Sequence, residues 1–250
     1  MATKPKRIGM ITPSSNTVVE PTTIAMTAQL YPHITTHYTR IEVKSISLEE
    51  HSLAHFNLDP MLRAATLLAD AGMDAIAWNG TSGAWRGLDT DYELCEAITR
   101  ETGVPATTST LAQIESFKAY GVKNYALAVP YLESVTNAII PTYEQAGFHC
   151  TSSAHLGICT NTEFAYVPDD TTRDLVRRSD SPDAQAISII CTNFPAGWLV
   201  EELEAVQGKP VFDSTVITVW QTLRMVGFDE PIAGWGRLLR EPAGMFSQAK

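Results

Sequence analysis

Two segments of this sequence repeat one pattern and decide how the chain is organised. The first reads GVPATTSTLAQIESFKAYG over residues 103–121, and the second reads GKPVFDSTVITVWQTLRMVG over residues 208–227. Each begins with Gly-x-Pro, passes through a short strand-like run to Ser-Thr, and then carries apolar residues at helical spacing. The repeat predicts that the same strand–helix unit occurs twice.

A second repeated pair ends in polar turns. The pair consists of DAIAWNGTSGAW, which begins at residue 74, and AISIICTNFPAGW, which begins at residue 186. In both, an apolar run followed by small polar residues predicts a buried strand that ends in a turn. Their alignment sets Gly-Thr-Ser at 80–82 against Cys-Thr-Asn at 191–193. These two turns are therefore expected at equivalent places in two halves.

A third pair supports the duplication. RIGMITPSSN begins at residue 7 and NYALAVPYLE at residue 124, and their alignment sets Pro13 against Pro130 and Ser14 against Tyr131. Three matched strand ends in the same order predict two duplicated halves. Because ligands of open α/β sheets gather at the carboxyl ends of the strands, the functional site is expected between the halves.

Alternation of strands and helices predicts the fold class. Strands are expected at 7–12, 35–43, 75–79, 124–129, 186–191 and 210–212, with helices at 59–72 and 196–206. This order predicts an α/β fold of two pseudo-twofold-related halves, each a parallel doubly wound sheet of about four strands flanked by helices. The N-terminal half is assigned to 1–112 plus about 217–250, and the C-terminal half to 113–216.

Composition narrows the class of function. The chain has 250 residues, 44% hydrophobic residues and a formal net charge of −10, which argues against a nucleic-acid partner. No apolar run reaches the roughly 20 residues of a membrane span, and the run after the basic start is too short for a signal peptide. We therefore expect a cytoplasmic protein without a membrane partner, and assembly as a homo-oligomer is left open.

Metal and cofactor signals are weak. The four cysteines lack metal-ligand spacing, and no nucleotide-binding loop is present. His51 and His55 are four residues apart, as in a metal-binding pair, but a solvated helix start is favoured. We expect no metal and no organic cofactor.

Cys191 stands at the end of an apolar strand and before a predicted helix. Backbone N–H groups and the positive end of the helix dipole would tune its thiol acidity there. The alternative is a small buried apolar residue, but the matching polar turn at 80–82 favours a chemical role. Cys95 and Cys150 keep the structural interpretation because they lie in a helix and a strand.

Three other polar features are candidates, each with a structural alternative. Thr81 and Ser82 could donate hydrogen bonds to a carboxylate or an enediolate, or belong to a plain glycine-rich loop. Tyr131 is expected to direct its phenol into the cleft, with half-buried packing as the alternative. The Ser-Ser-Asn turn at 14–16 either caps a helix or binds an anion, and its pattern favours neither.

These motifs together resemble the Asp/Glu racemase superfamily. The resemblance lies in PSSN at 13–16, GTS at 80–82, Pro-Tyr at 130–131 and CTN at 191–193, and it extends to WGRLL at 235–239. It is strongest to the maleate cis-trans isomerase and arylmalonate decarboxylase branches. The combination of motifs is more specific than any of them alone.

The resemblance implies roles for individual residues. Racemases and maleate isomerases of this superfamily use two cysteines; Cys191 matches the second, whereas Gly80 occupies the position of the first. Arylmalonate decarboxylase is similar to this chain there, and that branch implies a dioxyanion hole formed by Thr81, Ser82 and Tyr131. The maleate isomerase branch implies substrate binding by residues of the other turns, namely Ser14, Ser15, Asn16, Thr192, Asn193 and Asn161.

The absence of a second cysteine selects the predicted reaction. Racemisation needs an acid and a base on opposite faces of one carbon, and Gly80 supplies neither. Decarboxylation needs a hole for the enediolate and one proton donor, and a thiol with a pKa of about 8.5 can donate at neutral pH. The sequence therefore predicts a cofactor-independent decarboxylase of a malonate-type dicarboxylic acid.

Two other functions stay open. One is isomerisation or racemisation of a small dicarboxylate through Cys191 and a partner other than cysteine. The other is a protein that binds small carboxylates without catalysis. The partner in all three cases is a small carboxylate or dicarboxylate.

Overall fold

Two parallel four-stranded sheets form the centre of the molecule in the computed structural model, which describes residues 4–43 and 57–241. The strands are β1 (Lys6–Pro13), β2 (Ile34–Ile41), β3 (Ala75–Trp78), β4 (Ala106–Thr108), β5 (Asn124–Val129), β6 (His149–His155), β7 (Ala186–Ile189) and β8 (Val211–Asp213). The first sheet has the order β2-β1-β3-β4 and the second β6-β5-β7-β8, so both follow the same topology. The predicted fold class is confirmed.

Helices connect the strands and cover the sheets. In chain order, the first five are α1 (Val19–Thr27), α2 (Leu58–Asp70), α3 (Gly83–Arg86), α4 (Leu88–Thr102) and α5 (Ser109–Tyr120). They are followed by α6 (Glu133–Gln145), α7 (Asn161–Phe164), α8 (Asp169–Ser179), α9 (Val200–Gln207), α10 (Ser214–Met225) and α11 (Arg237–Arg240). Within the described ranges, none of these helices has the length and apolar character needed to cross a bilayer.

The repeated helices α5 and α10 join the two halves. They pack against each other, and the Thr218 hydroxyl lies 2.8 Å from the Ser109 hydroxyl across their contact. Each helix begins directly after the short last strand of its sheet, as the repeat predicts. The assignment of the connecting and terminal segments to one half or the other stays a prediction.

The central strands read as continuous apolar runs because helices cover both faces of a parallel sheet. Every residue of β3 and β7 is buried, and so are the last five residues of β5. The chain thereby places the ends of these strands, and the turns that follow them, at the edge where the two halves meet.

Two predicted boundaries in the second half are wrong. The strand predicted for 186–191 ends at Ile189, where its pairing with β8 also ends, so Cys191 lies two residues beyond the strand. The helix predicted for 196–206 is a short 3-10 turn at Gly197–Leu199 followed by α9. Gly197 passes close to α1, since a Cβ added there would lie 3.0 Å from Thr22 Cγ2.

Candidate active site

Three side chains from both halves meet at the strand ends. Thr81 comes from the turn after β3, Tyr131 from the turn after β5, and Cys191 from the turn after β7. The Thr81 hydroxyl lies 3.0 Å from the Tyr131 hydroxyl, and the Tyr131 hydroxyl is hydrogen-bonded to the Cys191 thiol. All three are buried. The structure thus brings together three of the four predicted catalytic residues.

The Tyr131 ring is held by aromatic neighbours. It makes edge contacts with Trp85 at 5.5 Å and with Phe164 at 5.3 Å between ring centroids. Burial raises the pKa of the Tyr131 phenol well above its usual range, and the adjacent Cys191 raises it further. The phenol therefore keeps its proton at neutral pH, and either hydroxyl of the Thr81–Tyr131 pair can be the donor.

Burial dominates the electrostatics of Cys191. It raises the pKa of the thiol to about 12, although hydrogen bonds from Tyr131 and from the backbone N–H groups of Asn193 and Phe194 lower it. The expected lowering by backbone N–H groups is present, but burial outweighs it, and α9 begins only at Val200. Cys191 is consequently protonated at neutral pH and can act as a proton donor.

The Asn16 side chain ties the first loop to the opposite half. Its Oδ1 accepts hydrogen bonds from the N–H groups of Val18 and Val19, both at 2.9 Å, so it caps the start of α1. Its Nδ2 donates to Thr192 Oγ1 at 3.3 Å, and that hydroxyl donates to the carbonyl of Asn79 at 3.0 Å. Capping, one of the two alternatives for this turn, is therefore present for Asn16.

The remaining predicted binding residues form a second chain of hydrogen bonds. Asn193 Oδ1 accepts from the Thr17 N–H at 2.9 Å, and Asn193 Nδ2 donates to the Asn161 carbonyl at 2.6 Å. Asn161 Nδ2 donates to Ser15 Oγ at 2.7 Å, and Ser15 donates to the carbonyl of Val43. These contacts bring the turns after β1 and β7 to the Asn161 segment.

Ser14 bonds to the backbone of another segment, and Ser82 lines a cavity. The Ser14 hydroxyl bonds to the backbone of Val43, accepting from its N–H at 3.1 Å. Ser82 is buried and lines a cavity of about 170 Å³ together with Arg86 and Asp91. Substrate roles for Ser14 and Ser82 stay predictions.

Gly80 is a site of close backbone approach. A Cβ added at this position would lie 2.2 Å from two atoms of the Trp78 ring, far inside contact distance. Trp78 is itself completely buried, so its ring has no room to move into solvent. No side chain therefore fits at position 80 while Trp78 keeps its place.

The sequence model of one enzyme family, arylmalonate decarboxylase, matches residues 8–239. The chain belongs to the arylmalonate decarboxylase family. The predicted membership of the Asp/Glu racemase superfamily is confirmed, and the chain is an enzyme of this family.

Individual relatives of the family divide between two activities. The chain is 27% identical to a maleate isomerase of Alcaligenes faecalis, over 94% of this chain and 97% of that protein. It is also 27% identical to the arylmalonate decarboxylase of Bordetella bronchiseptica, over 94% and 96% of the two chains. Among solved structures, the maleate cis-trans isomerase of Nocardia farcinica is 26% identical with a TM-score of 0.86, covering 94% of this chain and 98% of its own.

Two buried carboxylates of this family member were missed by the sequence reasoning. Asp91 accepts a hydrogen bond from Thr108 at 2.5 Å, and burial raises its pKa to about 6. Asp213 caps α10, and burial raises its pKa to about 7. A signal existed for Asp213 alone. Aligning the repeats sets it against Thr108, so this position carries a carboxylate in the second repeat and a hydroxyl in the first.

Histidine plays no part in the described site. Residues 51 and 55 lie outside the part of the chain that the structure describes. Within 4–43 and 57–241, no three side chains of histidine, cysteine, aspartate or glutamate gather as a metal ion would require. The expectation that the enzyme needs no metal or organic cofactor stays a prediction.

Proposed function

We propose that this enzyme is a cofactor-independent decarboxylase of a malonate-type, α-substituted dicarboxylic acid. The observation that carries the proposal is the asymmetry across the site. A single protonated thiol, Cys191, contacts the Tyr131 hydroxyl, which in turn contacts the Thr81 hydroxyl. On the other side, Trp78 fills the space that a side chain at Gly80 would need.

The reaction begins with loss of carbon dioxide. The bond between the α-carbon and one carboxylate breaks, and its electron pair passes to the α-carbon and the remaining carboxyl group, which becomes an enediolate. The Thr81 and Tyr131 hydroxyls provide hydrogen bonds for the charge on the enediolate oxygens, with Ser82 as a further donor. Such donors are most effective in a buried site where water is excluded.

The reaction ends with a proton transfer from Cys191. The Sγ proton passes to the α-carbon, a C–H bond forms, and a thiolate remains. Hydrogen bonds from Tyr131 and from the N–H groups of Asn193 and Phe194 stabilise that thiolate, and water returns the proton. A thiol whose pKa is about 12 is a reservoir of protons at neutral pH and is matched to a strongly basic carbon.

The surroundings of the site favour a small substrate with one polar and one apolar side. Trp85 and Phe164 supply aromatic surface beside Tyr131. Asn16 and Asn193 supply polar groups on the loops of both halves. We expect one carboxylate to occupy the apolar region, where loss of solvation promotes the release of carbon dioxide.

A second candidate is isomerisation or racemisation of a small dicarboxylate. The 27% identity to a maleate isomerase and the asparagine-rich loops support it. In that case a group other than a residue 80 side chain must act on the second face, and Asn16 and Tyr131 are the candidates. Binding of a carboxylate without turnover is the third possibility.

A substrate panel in D₂O distinguishes the three functions. 2-Methyl-2-phenylmalonate, phenylmalonate and maleate are each incubated with the enzyme; all products are analysed by mass spectrometry, and the chiral product of the first substrate also by chiral chromatography. Decarboxylation predicts release of carbon dioxide and a single deuterated enantiomer of the product acid. Fumarate from maleate at a comparable rate would replace the proposal with the isomerase, and saturable binding without product would replace it with a binding protein.

The Cys191→Ala variant is the control for this panel. It removes the proposed proton donor and leaves the hydroxyls of Thr81 and Tyr131 in place. Product formation that persists in this variant indicates a contaminating activity or a different acid.

A further inference from the structure

Asp213 carries a buried carboxylate oxygen without a partner. Its Oδ1 accepts hydrogen bonds from the N–H groups of Thr215 at 2.9 Å and Val216 at 3.0 Å. Its Oδ2 has no hydrogen-bond partner, and the residue is completely buried, at 0% exposed. An unpaired polar atom in this position costs free energy and calls for a functional explanation.

Capping of α10 does not explain the carboxylate. The matching position of the first half is Thr108, whose hydroxyl caps α5 by accepting from the N–H of Leu111 at 3.1 Å. A neutral residue therefore suffices for the same task in the same strand–helix unit. The second half instead has a group that is able to carry a charge.

The second half fixes this carboxylate behind the Cys191 turn. Asp213 ends β8 beside Ile189 of β7, and Cys191 follows Ile189 by two residues. The Ser214 hydroxyl donates to the Ile189 carbonyl at 3.0 Å, and the Thr215 hydroxyl lies 3.4 Å from the Thr192 carbonyl. The start of α10 is thus bonded to both sides of Cys191.

We propose that Asp213 is a positioning residue whose unpaired carboxylate oxygen controls how readily Cys191 gives up its proton. It does not touch the Tyr131–Thr81 pair and acts through the thiol. The proposal deepens the decarboxylase function, because it concerns the same proton donor. It can nevertheless be tested on the thiol alone, without any substrate.

The physical basis is repulsion between two negative charges in a buried region. An ionised Asp213 disfavours a thiolate and raises the pKa of Cys191, against the lowering by Tyr131 and the Asn193 and Phe194 N–H groups. The pKa of Asp213 is raised by burial to about 7 and is lowered by the Thr215 and Val216 N–H groups. Among the described residues, no other ionisable group contributes to the pKa of Asp213.

The charge of Asp213 therefore changes in the neutral pH range. Below about pH 7 the carboxyl is neutral, and Cys191 loses its proton more easily. Above that pH the carboxylate is charged, and the thiol holds its proton more strongly. The thiolate fraction of Cys191 should consequently rise less steeply with pH around neutrality than that of an isolated thiol.

Alkylation of Cys191 by iodoacetamide measures this thiolate fraction. The rate is followed from about pH 5.5 to pH 9 by mass spectrometry of the peptide that contains Cys191, because only the thiolate reacts. The intact protein is expected to show a flattened segment near the pKa of Asp213. Asp213→Asn should remove that segment and react about tenfold faster above neutral pH, as a pKa lowered by one unit requires.

Two further variants separate charge from structure. Asp213→Thr installs the residue that the first half uses as its helix cap, and it should match Asp213→Asn in alkylation rate and pH profile. Glu204→Gln removes another buried carboxylate of the same half, which bonds to the N–H groups of Val211 and Arg237. Glu204 bonds to the start of β8 and to the start of α11, so its variant is expected to retain the flattened profile.

The outcomes decide the proposal independently of catalysis. A flattened profile that persists in Asp213→Asn and Asp213→Thr would overturn it, and so would equal acceleration in Glu204→Gln. If the alkylation result is as expected but no dicarboxylate is decarboxylated, the coupling stands and the proposed reaction fails. If decarboxylation occurs but alkylation of Cys191 is the same in the Asp213 variants as in the native protein, the proposed reaction stands and the coupling fails.

Discussion

The two halves of this molecule place different chemistry at equivalent strand ends. The turn after β3 presents Gly80 and Thr81, whereas the turn after β7 presents Cys191 and Thr192. Behind each turn lies a buried carboxyl group, Asp91 or Asp213. The two sheets share one strand order, whereas the side chains of the two turns differ, with a glycine in one where the other has a thiol.

The carboxyl groups differ in how well they are paired. Asp91 accepts a hydrogen bond from Thr108, and the charge of Arg86 lowers its pKa. Asp213 has only the N–H groups at the start of α10, and one of its oxygens has no partner. The charge of Asp213 raises the pKa of Cys191, a candidate catalytic residue.

Removing the thiol should have the largest effect on this comparison. Cys191→Ala is expected to lower kcat by at least about a hundredfold, because general-acid steps contribute roughly 10² to 10⁴. Substrate binding should change little, since the hydroxyls of Thr81 and Tyr131 remain. Steady-state kinetics with Cys95→Ala and Cys150→Ala as controls check this. Undiminished turnover in the Cys191 variant would remove the acid from the mechanism.

Removing a hydroxyl from the site should have the next largest effect. Tyr131→Phe and Thr81→Ala should each lower kcat by roughly a hundredfold, or about 3 kcal/mol, with little change in KM. The reason is that both hydroxyls face charge that grows towards the enediolate.

Tyr143→Phe provides the matched control for the hydroxyl variants. Tyr143 is a buried tyrosine whose hydroxyl has no hydrogen-bond partner, so its loss should leave kcat unchanged. If Tyr131→Phe raises KM and leaves kcat constant, Tyr131 positions the substrate and does not stabilise the enediolate.

Making the two turns alike should test why they differ. Gly80→Cys alone is expected to destabilise the protein by about 1–3 kcal/mol in urea unfolding, because the new side chain collides with the Trp78 ring. Gly80→Cys combined with Trp78→Leu should relieve the collision and place a thiol opposite Cys191.

Racemisation of the product acid is the readout for that double variant. The proposal predicts a measurable gain over both the native enzyme and Trp78→Leu, since an acid and a base then flank one carbon. If the native enzyme already racemises its product, protons are transferred on both faces of the carbon without a second thiol. That result would contradict the decarboxylase proposal and favour the isomerase or racemase.

The smallest expected effect compares the two carboxyl groups through pH. Both carboxyl groups have a raised pKa in the folded state, so the contribution of each to the free energy of unfolding is complete below the unfolded pKa of about 4. As pH rises, this contribution is lost by about pH 6 for Asp91 and by about pH 7 for Asp213. Asp91→Asn and Asp213→Asn should each remove their share of this fall. Urea unfolding at pH 4 and pH 8 should show that the free energy of unfolding falls less in each variant than in the native protein. The difference from the native protein should be about 1 kcal/mol larger for Asp213→Asn than for Asp91→Asn. Curves that stay parallel to the native one would contradict the raised values.

The sequence by itself determined the duplication and the order of the elements. Gly-x-Pro and Ser-Thr recur in the same order, and Pro13 and Pro130 mark matching strand ends. These signals are local, because strand and helix periodicity and turn chemistry depend on neighbouring residues. They sufficed to predict two parallel sheets and to place the polar turns at one edge.

Only the tertiary structure decided the properties of the groups in those turns. Asn16 reaches Thr192 across 176 positions of the chain, and Thr81 reaches Tyr131 across 50. The raised pKa of Cys191 comes first from burial, which depends on every segment packed around the thiol. Trp78 closes the space at Gly80 through the direction of a single ring, which no residue pattern specifies. Acidity and free space are sums over distant contacts, and for that reason they emerge only when the chain is folded.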